Sequence, residues 1–213
     1  SSFLTGKRHA LFEGIKQSAH EIILCTDADC IPKSERWIEK MVQPFYDKKT
    51  AFVLGYSPYT FKEYNGLARI IESETNQTAL LYLSYALRGR PFMGVGRNMA
   101  FKKSILTSAY WEKYRAFGFG DDDLMVQSFA NKENTHIVIS KEAQTSSLGK
   151  TNINEWMIQK MRHLAAGKFY RASINFSLGI YHFSGLMFLL LIAYTFFCGQ
   201  VNFFVICSLI LFV

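Results

Sequence analysis

The chain is 213 residues long, 49% hydrophobic and 19% charged, with a net charge of +7; that length suffices for one domain with a sizeable core and an additional segment. Its four cysteines, Cys25, Cys30, Cys198 and Cys207, form no disulfide framework, since two flank an acidic motif and two lie in an apolar tail, as suits a reducing compartment. The positive charge and a pI near 9.2 come without zinc-finger spacing, a recognition-helix pattern or basic stretches interleaved with aromatics, so an anionic membrane leaflet accounts for them and nucleic acid is not needed as a partner.

In chain order, Gly6–Ala19 places Ala10, Leu11, Ile15 and Ala19 near one helical face and predicts an amphipathic helix. Lys7 and Arg8 at its start suit either solvent or an anion. Ile22, Ile23 and Leu24 form a short apolar run with β-branched residues, the pattern of a buried parallel strand. Asp27 and Asp29 follow at its C-terminal edge, where open α/β sheets bind ligands. Two carboxylates at this spacing either form a solvated turn or hold one hard divalent cation, which in turn can hold a diphosphate. Cys25 and Cys30 lack nearby Cys or His partners and read as small buried side chains rather than soft metal ligands.

Ser34–Tyr46 reads as a second helix with Trp37, Met41 and Phe45 as a core stripe, and Ala51–Tyr56 as a second buried strand. Helix, strand, helix, strand predicts a parallel sheet with crossover helices. Gly66–Leu87 is a long helix, polar at first (Glu72, Glu74, Asn76, Gln77) and apolar later (Leu80, Leu81, Leu83), suited to a plain surface, a membrane or a substrate groove. In Pro91–Lys102, Gly94 and Gly96 let backbone approach a ligand or another strand closely, and Asn98–Phe101 returns as a strand.

Asp121, Asp122 and Asp123 then open an amphipathic helix containing Leu124, Met125, Val126 and Phe129. Carboxylates at a helix N-terminus are favourable by capping and dipole alone. Three in a row exceed what a cap needs, and one of them beside a reacting hydroxyl would serve as a general base. His136–Ser140 reads as a further strand. Asn154–Tyr170 places Trp156, Gln159, Lys160, Arg162 and His163 on an amphipathic helix, read either as an interfacial anchor or as a source of hydrogen bonds to a diphosphate or acceptor.

From Leu178 to Cys198 the chain runs 21 residues without Asp, Glu, Lys or Arg, enough at about 1.5 Å per residue to cross roughly 30 Å of hydrocarbon. A second apolar run, Val201–Val213, follows, and neither terminus reads as a natural end, so longer flanking sequence is expected. Lys160, Arg162, His163, Lys168 and Arg171, opposed locally by Glu155, place the preceding part on the cytoplasmic side of a plasma (inner) membrane crossed more than once.

The order of these motifs is more specific than any one of them. Gly6-Lys7 with Ala10-Leu11, TDADC at Thr26–Cys30, GVGRNMAF at Gly94–Phe101, GDDDL at Gly120–Leu124 and QKMRH at Gln159–His163, followed by a span, resemble the family 2 glycosyltransferases, and more narrowly the bacterial membrane-anchored members. The resemblance implies a GT-A fold: α/β and Rossmann-like, a mostly parallel sheet with flanking helices, its N-terminal nucleobase-binding strands missing here, followed by C-terminal transmembrane helices. The implied organisation is a partial catalytic domain over 1–153, an interfacial helix over 154–173 and a membrane region over 174–213. The implied activity is metal-dependent, inverting transfer of a sugar from a nucleotide donor, a UDP-sugar by preference, to a lipid or polysaccharide acceptor.

Carried onto this sequence, the resemblance gives Mg2+ or Mn2+ to Asp27 and Asp29, with Asp29 the more direct ligand. It gives the base to Asp122 among Asp121, Asp122 and Asp123, and donor contacts to Lys7, Asp27, Asp29, Gln159, Arg162 and His163. Acceptor contacts fall to Gly94, Gly96, Asn98 and Trp156. His163 stands where processive polysaccharide synthases carry Trp, which argues against chain extension of their type. Asp121 replaces a common Glu, and Asp123 is an additional acid. A rival reading is a haloacid-dehalogenase-like Mg2+-dependent phosphatase with Asp27 as nucleophile, opposed by Ile31 and by the lack of an apolar strand into Gly120. A non-catalytic membrane-anchored binding module leaves both acidic clusters and QKMRH unexplained, and an inactive homologue retains the motifs.

Overall fold

The computed structural model describes residues 7–113 and 121–198. In chain order the elements are α1 (Lys7–Gln17), β1 (Ile22–Cys25), β2 (Ile31–Pro32), α2 (Trp37–Val42), β3 (Phe52–Gly55), β4 (Tyr59–Thr60), α3 (Gly66–Leu87), β5 (Met99–Lys102), α4 (Ser108–Lys113), α5 (Asp121–Phe129), β6 (Thr135–Val138), β7 (Thr145–Leu148), α6 (Ile153–Ala166) and α7 (Ala172–Phe197). The chain divides into two compact units, one ending at Tyr170 and the other beginning at Arg171.

The first unit is built on a four-stranded sheet in the order β1-β5-β3-β6. Phe52, Val53 and Leu54 of β3 are wholly buried, the continuous apolar pattern of a strand covered on both faces. β3 pairs parallel to β6, Phe52 opposite Thr135, and antiparallel to β5, Phe52 opposite Phe101. β1 pairs antiparallel to the other edge of β5, Ile22 opposite Lys102. Thus β1, β3 and β6 run the same way, as the alternation of helices and strands predicts, but β1 and β3 are not neighbours. The returning strand β5 lies between them, because an apolar run identifies a buried strand without encoding its direction.

The stripe Trp37, Met41 and Phe45 is buried against Val53, Ala100 and Ala143, with Ile22, Leu24 and Val138 packed beside it. The predicted second helix is α-helical only to Val42 and closes as a 3₁₀ turn over Gln43–Tyr46, because Pro44 has no N–H to continue the ladder. Helix α3 matches its predicted bounds, and the side chain of Asn65 caps it by accepting the Ala68 N–H at 3.0 Å.

A second sheet, β2-β7-β4, pairs Ile31 with Ser146 and Tyr59 with Ser147. This sheet draws the turn after β1 and the segment after β3 onto one strand, β7. The other unit contains α7, which among the described residues is the one helix long and apolar enough to cross a membrane, with mean hydropathy 1.8 over its most apolar window. The apolar run 201–213 lies outside the described residues, so the expectation of more than one span has no support from them.

Candidate active site

Asp27 and Asp29 sit on the turn between β1 and β2, closed by the Cys30 N–H donating to the Asp27 carbonyl at 3.0 Å. Asp27 is half-buried and Asp29 exposed. The Cys30 thiol donates to Oδ1 of Asp29 at 3.9 Å. No group of three or more His, Cys, Asp or Glu side chains gathers among the described residues. The donor set is therefore two hard carboxylate oxygens on an open turn, which suits Mg2+ or Mn2+ with further positions left for a diphosphate and water, and does not suit a closed structural site.

The second acidic centre is positioned by the glycine loop. The Gly96 N–H donates to Oδ2 of Asp122 at 2.7 Å, and the Asp123 N–H donates to its Oδ1 at 3.1 Å. A Cβ on Gly96 would lie 3.3 Å from that Oδ2, so glycine permits the close approach. Asp122 is half-buried at the start of α5.

Asp123 is placed differently. Its carboxyl is buried, and the Tyr170 hydroxyl donates to Oδ2 at 2.5 Å. Burial first, and the adjacent Asp122 charge second, push its pKa well above the ordinary carboxylate range, against the opposing effects of Tyr170 and the Gly94 backbone. The Tyr170 hydroxyl is raised in turn by burial and by Asp123. Burial sets Asp123 apart from Asp122 as a candidate base: its carboxyl lies inside the protein against the Tyr170 hydroxyl, and its pKa is raised. Asp121 opens the same helix, but its side chain lies outside the described residues, as does that of Lys7.

Two residues expected at the acceptor site lie inside the protein. Asn98 is wholly buried; its Oδ1 accepts from Trp37 Nε1 at 2.9 Å and its Nδ2 donates to the carbonyls of Tyr56 and Ala143 at 2.9 and 2.8 Å. Its carboxamide is fully engaged inside the protein. Gly94 is packed among Met99, Leu54 and Val126, where a Cβ would come within 2.8 to 3.2 Å of side-chain atoms; its role is core packing.

Helix α6 brings the last motif to the same region. Gln159 Nε2 donates to the Tyr59 hydroxyl at 3.0 Å, and the Arg97 guanidinium stands over the Tyr59 ring, 4.2 Å from its centroid. Arg97 also donates to Ser147 Oγ at 3.3 Å, leaving most of its five donors for other partners. Lys160 forms an ion pair with Glu74 of α3, whose other oxygen accepts from Thr78 at 3.0 Å. His163 keeps solvent access while crowded by protein, and desolvation followed by Lys160 lowers its pKa; Asp122, Arg97 and Glu74 also act on it. Charges from the GDDDL, GVGRNMAF and QKMRH segments thus meet at this imidazole. Arg162 is exposed. Trp156 is half-buried, and its Nε1 is buried without a hydrogen-bond partner among the described residues.

Arg97, Tyr59 and Tyr170 were not singled out by the sequence. Arg97 lies inside the GVGRNMAF motif and its charge beside two glycines was a usable signal, whereas two tyrosines among 11 carry none until the fold brings them in.

A family model described as glycosyltransferase like family 2 matches residues 3–166. Among solved structures, the mannosyltransferase PcManGT from Pyrobaculum calidifontis, in complex with GDP-Man and Mn2+, matches at 18% identity and a TM-score of 0.47, over 75% of this chain and 41% of that one. Glucosyl-3-phosphoglycerate synthase from Mycobacterium tuberculosis, in complex with Mn2+, UDP and glucosyl-3-phosphoglycerate, matches at 14% identity and a TM-score of 0.46, over 78% and 55%. The chain therefore spans about half the length of these structures. No curated protein matches it.

Proposed function

Because the chain belongs to the family 2-like glycosyltransferases, we propose that it transfers a sugar, with inversion, from a nucleoside diphosphate donor to a hydroxyl of a lipid or glycan acceptor at the cytoplasmic face of a membrane. The phosphatase reading falls with the family assignment. The observation that carries the proposal is the Gly96–Asp122 hydrogen bond, which holds a half-buried carboxylate toward the region where Arg97 and His163 act.

Asp122 takes the proton of the acceptor hydroxyl as its oxygen bonds to the anomeric carbon from the face opposite the diphosphate. The bond from that carbon to the diphosphate oxygen breaks, and its electron pair leaves with the nucleotide. Asp27 and Asp29 hold Mg2+ or Mn2+, which when bound offsets the charge developing on the leaving group. Gln159, Arg162 and His163 contact the donor, with Lys7 as a further anion partner. Trp156 and Gly96 line the acceptor side. The division of labour is 1–153 for donor binding and transfer, 154–173 for the interface and 174–213 for the membrane.

Two features support the membrane assignment. The first is the length and hydropathy of α7. The second is α6, which turns Gln159 and Lys160 toward the protein and leaves Ile153, Met157, Ile158, Met161 and Leu164 between 48% and 77% exposed. An apolar face turned outward on a helix with basic neighbours fits the headgroup boundary of a bilayer.

The test is nucleoside diphosphate release by the full-length protein in membranes, over a panel of UDP- and GDP-sugars with Mn2+ or Mg2+ and lipid extracts as acceptor. Metal-dependent release that disappears in Asp122→Asn is expected. Release that survives this substitution would remove Asp122 as the base, and phosphate release without nucleotide release would overturn the reaction class.

A further inference from the structure

The Asp123–Tyr170 contact lies beside the Asp122 carboxylate. Asp122 is oriented by two backbone amides, those of Gly96 and Asp123, so its direction depends on where the glycine loop and the first turn of α5 stand. Both are tied to Tyr170. The hydroxyl of Tyr170 holds the Asp123 side chain at 2.5 Å. Its ring packs edge-on against Phe92, centroids 5.7 Å apart, and Phe92 begins the run into Gly94 and Gly96. Phe92 is itself buried, is flanked by Tyr85 at 5.0 Å, and has its carbonyl held by Gln127 Nε2 of α5 at 3.0 Å. One side chain therefore meets both supports of the carboxylate.

We infer that Tyr170 is a positioning residue for Asp122, acting through the Asp123 carboxyl and the Phe92 ring. The inference rests on the proposed role of Asp122 as base. With the Asp122 carboxylate displaced by a fraction of an ångström, the donor contacts made elsewhere are unchanged but the acceptor proton is met poorly, so the loss should fall on kcat rather than KM.

Tyr170→Phe keeps the ring on Phe92 and removes the hydroxyl. In the full-length protein, about a tenfold fall in kcat for nucleoside diphosphate release is expected, with the donor KM within about twofold of wild type. Unchanged kcat, or a loss that vanishes when activity is referred to the folded fraction, would overturn the inference. Asp123→Asn retains an oxygen to accept from Tyr170 and should lose less than Asp123→Ala; equal losses would overturn the contact as the route. Hydrogen exchange of the peptide covering residues 94–98 reads the same coupling without turnover: Tyr170→Phe should raise the exchange of the Gly96 amide several-fold, about the effect of loosening one local hydrogen-bonded unit, and unaltered exchange would overturn it. A wild type that releases no nucleotide while its exchange responds to Tyr170→Phe would sink the proposed reaction and leave the coupling standing.

Discussion

The Gly96 amide and the Asp122 carboxylate, 26 residues apart in sequence, meet at 2.7 Å, and a side chain at position 96 would press on that carboxylate. A Cβ there would lie 3.3 Å from Oδ2, so Gly96→Ala makes the carboxylate give way. A fall in kcat of about tenfold to a hundredfold is expected, with nucleotide affinity preserved. Steady-state kinetics alongside donor binding measured by calorimetry would check it, and a fall in affinity without a fall in kcat would count against it.

Asp29 is the exposed member of the acidic pair and carries no ion pair among the described residues. Asp29→Ala should therefore leave folding within about 0.5 kcal/mol of wild type while weakening Mn2+-dependent donor binding. Titrating donor with and without Mn2+ tests this; an unaltered metal requirement would remove Asp29 from the metal site.

Asp123 gives a pH signature with a definite sign. Its pKa in the folded protein is raised by burial and by Asp122, whereas in the unfolded chain it lies near about 3.9. The folded state therefore holds a proton that the unfolded state releases, and stability is fully present below the unfolded value and declines as pH rises toward the folded one. Asp123→Asn removes this dependence. Relative to wild type, the variant should gain stability progressively from about pH 4 upward, as measured by denaturant unfolding in detergent at acidic and neutral pH. A constant difference between the two proteins would refute the raised pKa of this buried carboxyl.

Leu54 occupies the wholly buried centre of the sheet. Leu54→Ala should cost about 2–5 kcal/mol, the range for a leucine truncated in a packed core. A smaller loss by chemical denaturation would show that the neighbouring elements collapse into the space.

Much of this architecture was legible in the sequence because it rests on periodicity. Trp37, Met41 and Phe45 repeat every four residues, and α3 has both a capping Asn65 and an uninterrupted helical run. The second sheet was not legible. Ile31–Pro32 and Tyr59–Thr60 are two-residue strands and Thr145–Leu148 is largely polar, so none offers an alternation long enough to read.

The site was legible as an ordered set of motifs, but not in the duties of individual members. Asp122 and Asp123 are adjacent and chemically identical in sequence. Helical geometry turns one toward the loop amide and the other into the protein, where burial pushes the pKa of Asp123 upward. Likewise, nothing in GVGRNMAF distinguishes an asparagine facing a ligand from one bonded to Trp37, Tyr56 and Ala143.

That last arrangement bears on how genetic data for this chain should be read. Gly96 and Asn98 stand two positions apart, and a saturation screen scored on product alone would mark both as intolerant. Their variants part company once the amount of protein in the cell is counted: substitutions of Gly96 should leave abundance near normal with turnover reduced, whereas substitutions of Asn98 orphan three hydrogen-bond partners and should be cleared by quality control before any question of catalysis arises.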